Sequence, residues 1–136
     1  MPFVLDNSVC CGWFLDNQAS PYTEAIARRL EEDQAVVPPL WELELTNVLR
    51  TGCLKGLFDA QAAQQVLARI LSLPIQPDRR PARAGEVLAL ALRFGLSSCD
   101  AVYLELALRL QLPIATTDGP LREAALASGV GLVPAD

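Results

Sequence analysis

The amino-acid sequence predicts an α/β fold, a sandwich in which a parallel sheet is covered by helices on both faces. Short apolar runs of strand-like composition recur along the chain, and segments with helical periodicity separate them. Strands that alternate with helices pair in parallel, because a parallel neighbour is reached only through a long crossover. The alternation therefore predicts a layered fold with the sheet in its centre.

Four strands and six helices account for this pattern. Each strand is a short apolar run flanked by polar or turn residues: 3–5, 35–37, 113–116 and 131–133. Each helix shows apolar positions at helical spacing: 22–31, 40–55, 60–71, 81–93, 101–111 and 121–127. Asp59 and Ser97 are predicted N-caps, and Pro120 suits the first turn of the last helix. The stretch 74–81 is interpreted as a loop, and the nearby arginines as a solvated surface: Arg79, Arg80 and Arg83.

Length and composition predict one domain that spans residues 1–136. A chain of 136 residues, 51% of them hydrophobic and 20% charged, is of the usual size for a single core. The N-terminus has no positively charged leader, and no apolar run reaches the roughly 18–20 residues that span a bilayer. We therefore expect a soluble cytoplasmic protein that does not associate with membranes.

The absence of histidine restricts the chemistry open to this protein. It excludes Ser-His-Asp and Cys-His catalysis and leaves carboxylates to carry any reaction. The cysteines form no C-x-x-C pair, which argues against structural zinc, and they are interpreted as buried apolar residues: Cys10, Cys11, Cys53 and Cys99. A net charge of −5 argues against a nucleic-acid partner, unless part of it belongs to a site that binds cations.

Two aspartates follow predicted strands, Asp6 after 3–5 and Asp118 shortly after 113–116. In an open parallel sheet, ligands bind beyond the carboxyl ends of the strands, so acids at these positions are candidates for a site. Each also has a structural explanation, because Asp6 suits an Asx-turn and Asp118 suits a helix N-cap. As a pair at one edge of a sheet, they indicate a site more strongly than either does alone.

Glu44 lies within a predicted helix, with Leu40 four residues before it and Val48 four residues after it. Its carboxylate therefore falls on a largely apolar stripe, where an unpaired charge is costly unless a cation relieves it. Asn47, three residues further on, is predicted to hold this carboxylate by a hydrogen bond. Glu42 is the competing acid, although its place in the helix is nearer a polar edge.

Asp100 is the fourth candidate, at the start of a strongly apolar helix. With Ser97 as the N-cap, it occupies the N3 position, where capping and the helix dipole favour a carboxylate. That stabilisation, about 0.5–2 kcal/mol, explains the residue without chemistry. Its candidacy therefore depends on the other three acids.

Convergence of these acids would require a divalent cation or the uptake of protons, because like charges repel. The candidate ligands are Asp6, Glu44, Asp100 and Asp118. Oxygen ligands without imidazole or thiolate favour Mg²⁺ or Mn²⁺, and such a site suits phosphodiester hydrolysis. Ser8 and Thr116 are predicted to orient the carboxylates by hydrogen bonds.

Four segments carry these acids in a characteristic order: VLDNSV, VVPPLWELELTNVLR, GLSSCDAVYLELALRL and PIATTDGPL. In this order and spacing, the whole chain resembles PIN-domain proteins of the VapC type, the toxin component of toxin–antitoxin pairs. The resemblance selects Glu44 over Glu42. The chain departs from the family pattern at Cys99, where an aromatic residue is common, and at Gly119 and Pro120, where a basic residue is common.

The resemblance implies a PIN-like three-layer sandwich with a central parallel sheet of about five strands flanked by helices. It also implies a Mg²⁺- or Mn²⁺-dependent endoribonuclease that hydrolyses RNA phosphodiester bonds and acts as a toxin. The implied partners are an RNA substrate, a second copy of the chain in a homodimer, and a cognate antitoxin whose Arg or Lys enters the acidic pocket. Trp13 and Trp41 are interpreted as core or dimer-interface residues rather than base-stacking platforms.

Other α/β functions fit the sequence less well. A phosphatase of the haloacid dehalogenase type requires a second aspartate two residues after the first, where this chain has Ser8. A receiver domain requires a lysine beyond a late strand, and the only lysine is Lys55. Dinucleotide binding requires a glycine-rich turn after the first strand, where this chain has Asp6, Asn7 and Ser8. The alternative that stays open is a catalytically inactive PIN-like module that binds a protein partner or RNA.

Overall fold

A parallel sheet of four strands forms the centre of the computed structural model, which describes residues 1–135. The strands are β1 (Phe3–Leu5), β2 (Ala35–Val37), β3 (Ile75–Pro77) and β4 (Ile114–Ala115). They pair in the order β3-β2-β1-β4, so β1 lies between β2 and β4. All three residues of β1 are buried, which places the centre of the sheet in the hydrophobic core. The predicted α/β class is confirmed.

Seven α-helices flank this sheet within residues 1–135. They are α1 (Asn7–Cys11), α2 (Pro21–Arg29), α3 (Leu40–Leu54), α4 (Ala60–Leu71), α5 (Ala84–Phe94), α6 (Ser98–Leu110) and α7 (Gly119–Ala127). The six predicted helices are all present; the largest shifts are at the starts of α5 (84 instead of 81) and α6 (98 instead of 101). Helix α1 was not predicted, because its 5 residues are too few to show a helical period.

The predicted N-caps are confirmed by their capping bonds. Asp59 accepts a hydrogen bond of 2.8 Å from the amide of Ala62, and Ser97 accepts one of 3.1 Å from the amide of Asp100. Pro120 lies in the first turn of α7, as predicted. Among residues 1–135, no single helix is long and apolar enough to cross a membrane; α5 and α6 pass that test only jointly and are bent by 111°.

The structure corrects two strand predictions. The sequence predicts a loop over 74–81, yet this stretch contains β3, whose Ile75 pairs with Ala35 of β2. Its prolines concealed the strand, although proline is tolerated on an edge strand such as this one. The predicted strand 131–133 forms only a single bridge, between Leu132 and Ile114. The described residues therefore form four strands rather than about five.

The tryptophans and cysteines divide between the core and the surface. Trp41 is 1% exposed, and its indole N–H donates to Cys10 Sγ at 3.4 Å, which confirms it as a core residue. Trp13 is half-buried, and its indole N–H donates to the carbonyl of Thr23 at 2.7 Å.

Two of the cysteines, Cys10 and Cys11, are buried as predicted, and Cys53 is partly buried. The prediction is wrong for Cys99, which is exposed at the start of α6.

The close approach of α1 and α2 depends on Gly12. A Cβ added at this position would lie 2.5 Å from Thr23 Cγ2, and Thr23 is itself fixed in the capping box at the start of α2. Because neither side can move freely, we expect Gly12→Ala to lower the free energy of unfolding by about 1–3 kcal/mol. Urea unfolding followed by circular dichroism measures this. Gly85→Ala, at a position where an added Cβ meets nothing within 4 Å, is the control and should not be destabilised. Equal stability of both variants would contradict the prediction.

An ion-pair network connects α6 to the segment that follows β3. Glu105 in α6 is only 1% exposed, and its Oε1 accepts a bond of 2.7 Å from Arg109 Nε. Arg109 Nη2 lies 2.9 Å from Asp78 Oδ2. Arg83, with 59% of its side chain exposed, approaches Glu105 at 3.6 Å. Arg79, Arg80 and Arg83 are exposed as predicted, and Arg83 also takes part in this network.

Candidate active site

The carboxylate of Asp6 lies at the carboxyl end of the central strand and is held by several donors. The side chain is 5% exposed, and its Oδ2 accepts hydrogen bonds from Ser8 Oγ at 2.6 Å and from Thr116 Oγ1 at 2.8 Å. The backbone amide of Asn7 adds a contribution that lowers the pKa of this carboxylate. Asp6 is therefore a buried acid whose orientation is fixed from two neighbouring strand ends.

Asp118 reaches the same edge of the sheet because β1 and β4 are neighbours, with Leu5 paired to Ala115. The Asp118 amide donates to Thr116 Oγ1 at 3.1 Å, which joins it to the hydroxyl that holds Asp6. Asp118 Oδ2 accepts a bond of 2.9 Å from the Leu121 amide and so caps α7. The two explanations weighed for this residue, N-cap and site acid, are therefore compatible.

Glu44 approaches the site from the beginning of α3. It is half-buried, whereas Glu42 is exposed. Its Oε1 accepts a hydrogen bond of 2.6 Å from the Tyr103 hydroxyl. Asn47 is exposed and shares with Glu44 an open depression of about 570 Å³, and within residues 1–135 it makes no hydrogen bond to that carboxylate. The partner that holds Glu44 in this structure is Tyr103.

Asp100 occupies the first turn of α6 and is half-buried. Its backbone amide donates to Ser97 Oγ, as the capping interpretation predicts. Tyr103 follows three residues later and therefore lies on the same side of the helix. Sequence reasoning missed Tyr103, although this spacing from a candidate acid was a signal that could have identified it.

The four acids interact electrostatically, which is the strongest sign that they share one region. Burial raises the pKa of Asp6, Glu44 and Asp100 above their ordinary values. The negative charge of Asp118 raises the pKa of Asp6 further, and the charges of Asp6 and Asp100 do so for Glu44. The pKa of Asp100 is raised in turn by the negative charges of Asp118 and Asp6. Bonds from Ser8 and Tyr103 lower the pKa of Asp6 and Glu44, respectively, but do not outweigh burial.

Two thiols border this acidic region. Burial raises the pKa of Cys11 to about 11, and the charges of Asp6 and Glu44 add to the effect. Burial also raises the pKa of Cys99, with contributions from Glu44 and Asp100. Both thiols are therefore protonated at neutral pH, and they contribute no thiolate to the site.

The donor set suits a hard divalent cation. All four acids offer carboxylate oxygens, and a cation between them would offset the repulsion that helps to raise the pKa values of Asp6, Glu44 and Asp100. In residues 1–135, no group of three or more acids and cysteines is close enough to hold an ion as it stands. Oxygens of Glu44 and Asp118 instead accept bonds from Tyr103 and the Leu121 amide. The chemistry fits Mg²⁺ or Mn²⁺, and binding would draw the carboxylates together.

Buried Asp6 gives the metal-free protein a characteristic pH dependence. Folding raises its pKa above the ordinary 3.8, so between the two values the folded state binds more protons than the unfolded state. The contribution of Asp6 to the free energy of unfolding therefore falls as pH rises through that window. We expect Asp6→Asn to be more stable than wild type at pH 7 in EDTA, because asparagine carries no charge for burial to penalise.

Urea unfolding of both proteins between pH 4 and pH 7 measures this difference. The stability advantage of Asp6→Asn should be smallest near pH 4 and should grow with pH. Ser8→Ala is the matched control, because it removes a donor to Asp6 and keeps the charge; it should be less stable than wild type at pH 7. A variant Asp6→Asn that is less stable than wild type at every pH would contradict the expectation.

The sequence is similar to known proteins along most of its length. The sequence model of the PIN domain matches residues 3–126. Ribonuclease VapC12 from Mycobacterium tuberculosis is 29% identical over 120 residues, which cover 88% of this chain and 89% of that protein. The matched region contains all four candidate acids.

Two solved structures share the fold. PAE2754 from Pyrobaculum aerophilum has a TM-score of 0.69 and 24% identity, with 91% of this chain and 87% of that chain covered. FitAcB from Neisseria gonorrhoeae has a TM-score of 0.62 and 18% identity, with 99% and 98% covered. At these identities the likeness concerns the fold alone.

Proposed function

This chain belongs to the PIN-domain family, and from that premise we propose that it is a Mg²⁺- or Mn²⁺-dependent endoribonuclease, the toxin of a toxin–antitoxin pair. The observation that carries the proposal is that the Thr116 hydroxyl joins Asp6 to Asp118 at the ends of two neighbouring strands. The charge of Asp6 also acts on Glu44 and on Asp100. Similarity to a ribonuclease of the VapC type over 88% of the chain supports it. The order of the acids along the sequence supports it as well.

The residues that would hold the cation are Asp6, Glu44, Asp100 and Asp118. When bound, a divalent cation supplies a nucleophilic water at neutral pH and stabilises negative charge on the phosphodiester. Ser8 and Thr116 orient Asp6 through its Oδ2. Because the chain has no histidine, no imidazole is available as a general base, and the carboxylates must provide the chemistry.

The negative charge of the chain is compatible with an RNA substrate under this proposal. The net charge of −5 includes the four acids of the site, and bound cations would neutralise part of it. Asn47 lines the open depression next to Glu44 and is available to ligand or substrate rather than to the carboxylate. A cognate antitoxin that inserts an Arg or Lys among the acids, a homodimer and a cytoplasmic location complete the proposal.

Cleavage of pooled cellular RNA by the purified protein tests this function. We expect cleavage with Mg²⁺ or Mn²⁺ and none in EDTA, because the acids repel one another and, among residues 1–135, form no ion pair with an arginine or a lysine. Restoration of cleavage by excess Mg²⁺ after EDTA is the control for irreversible damage. Cleavage that persists in EDTA would contradict the metal-dependent mechanism. No cleavage with either metal would favour the catalytically inactive module that binds a partner.

A further inference from the structure

Tyr103 links two of the acids of the site. Its hydroxyl donates to Glu44 Oε1 at 2.6 Å, at the short end of the range for such bonds. On α6 it follows Asp100 by three residues, so the same helix carries one acid and the donor to another. The bond therefore fixes the end of a long side chain from α3 against the helix that bears Asp100.

The phenol is suited to act as a rigid donor. Tyr103 is 1% exposed and belongs to the hydrophobic core, so packing fixes its ring. Its hydroxyl is held as a donor at the Glu44 carboxylate. A glutamate has several rotatable bonds, and a fixed donor removes much of that freedom.

The same arrangement recurs at two other acids of the site. Asp6 Oδ2 accepts from Ser8 and Thr116, and Asp118 Oδ2 accepts from the Leu121 amide. In each case the chain supplies the donor to one carboxylate oxygen. Glu44 Oε2 has no hydrogen-bond donor among residues 1–135, so it is the oxygen left for a cation.

We propose that Tyr103 is a positioning residue that orients the Glu44 carboxylate toward a divalent cation shared with Asp100. This inference rests on the proposed metal-dependent function. The hydroxyl contributes no ligand and exchanges no proton in the reaction. It acts through Glu44, as partners of metal-binding carboxylates commonly do.

Mn²⁺ binding to the isolated protein tests this without relying on RNA cleavage. Free Mn²⁺ is measured by electron paramagnetic resonance for wild type, Tyr103→Phe and Tyr22→Phe. Tyr22 is the matched control, because its hydroxyl donates to the Val133 carbonyl at 2.7 Å rather than to an acid of the site. We expect the dissociation constant to rise roughly 10- to 100-fold in Tyr103→Phe and to stay unchanged in Tyr22→Phe.

A double-mutant cycle with Glu44→Gln separates positioning from simple loss of packing. If Tyr103 acts through Glu44, Tyr103→Phe should not weaken Mn²⁺ binding further in the Glu44→Gln background. An equal loss in both backgrounds would overturn the inference, and so would a Tyr103→Phe protein that binds Mn²⁺ as wild type does. Wild type that binds Mn²⁺ and cleaves RNA while Tyr103→Phe is unaffected would overturn this inference alone. Wild type that neither binds Mn²⁺ nor cleaves RNA would overturn the proposed function and this inference together.

Discussion

Glu44→Gln is expected to reduce RNA cleavage by on the order of 100-fold or more, whereas Glu42→Gln retains the wild-type rate. Loss of a group that merely supports a metal ligand costs roughly 10- to 100-fold, so loss of a ligand carboxylate should cost at least the upper value. Glu44 is half-buried and senses the charges of Asp6 and Asp100. Glu42 is exposed two residues earlier on the same helix.

The matched pair also controls for a contaminating nuclease, because Glu44→Gln and Glu42→Gln change the charge of the protein equally. Initial rates of RNA cleavage at saturating Mg²⁺ measure the effect, and far-ultraviolet circular dichroism verifies that both variants are folded. The cleavage rate of Asp100→Asn should fall as that of Glu44→Gln does, since the two carboxylates belong to the same site in the proposal. Equal rates for Glu44→Gln and Glu42→Gln would contradict the assignment of the acids.

Arg109→Met is expected to lower the free energy of unfolding by about 3–5 kcal/mol, because it leaves the buried Glu105 carboxylate without its closest cationic partner. Glu105 is 1% exposed, and Arg109 is its closest cation at 2.7 Å. Methionine retains much of the aliphatic length of arginine, so the loss of stability reflects mainly the missing positive charge. For a domain of this size, Tm should fall by roughly 10 °C or more.

Arg83→Met is the control for this second prediction. Arg83 also faces Glu105, but at 3.6 Å and with 59% of its side chain exposed, so its loss should cost no more than about 1 kcal/mol. The double variant Arg109→Met with Glu105→Leu should recover part of the stability, because it removes the buried charge as well. Urea unfolding of the three variants gives these values. An Arg109→Met protein no less stable than Arg83→Met would show that the buried pair does not stabilise the fold.

Much of the secondary structure was predictable because it depends on local patterns. Apolar positions at helical spacing identified α4 with its observed bounds, and the capping residues Asp59 and Ser97 marked two helix starts. The short strand β3 was missed, because its strand character comes from pairing with β2 while its own sequence contains proline. Helix α1 was missed because it is shorter than two turns.

The residue types available for chemistry, and their order along the chain, can be read directly from the sequence. It has no histidine, and it places acids after two strands and within two helices, which was enough to predict a carboxylate site. How those acids are held depends on the tertiary structure. Tyr103 lies 59 residues from Glu44, and Thr116 lies 110 residues from Asp6. Hydrogen bonds over such separations depend on which strands and helices become neighbours, and no local pattern along the chain records that.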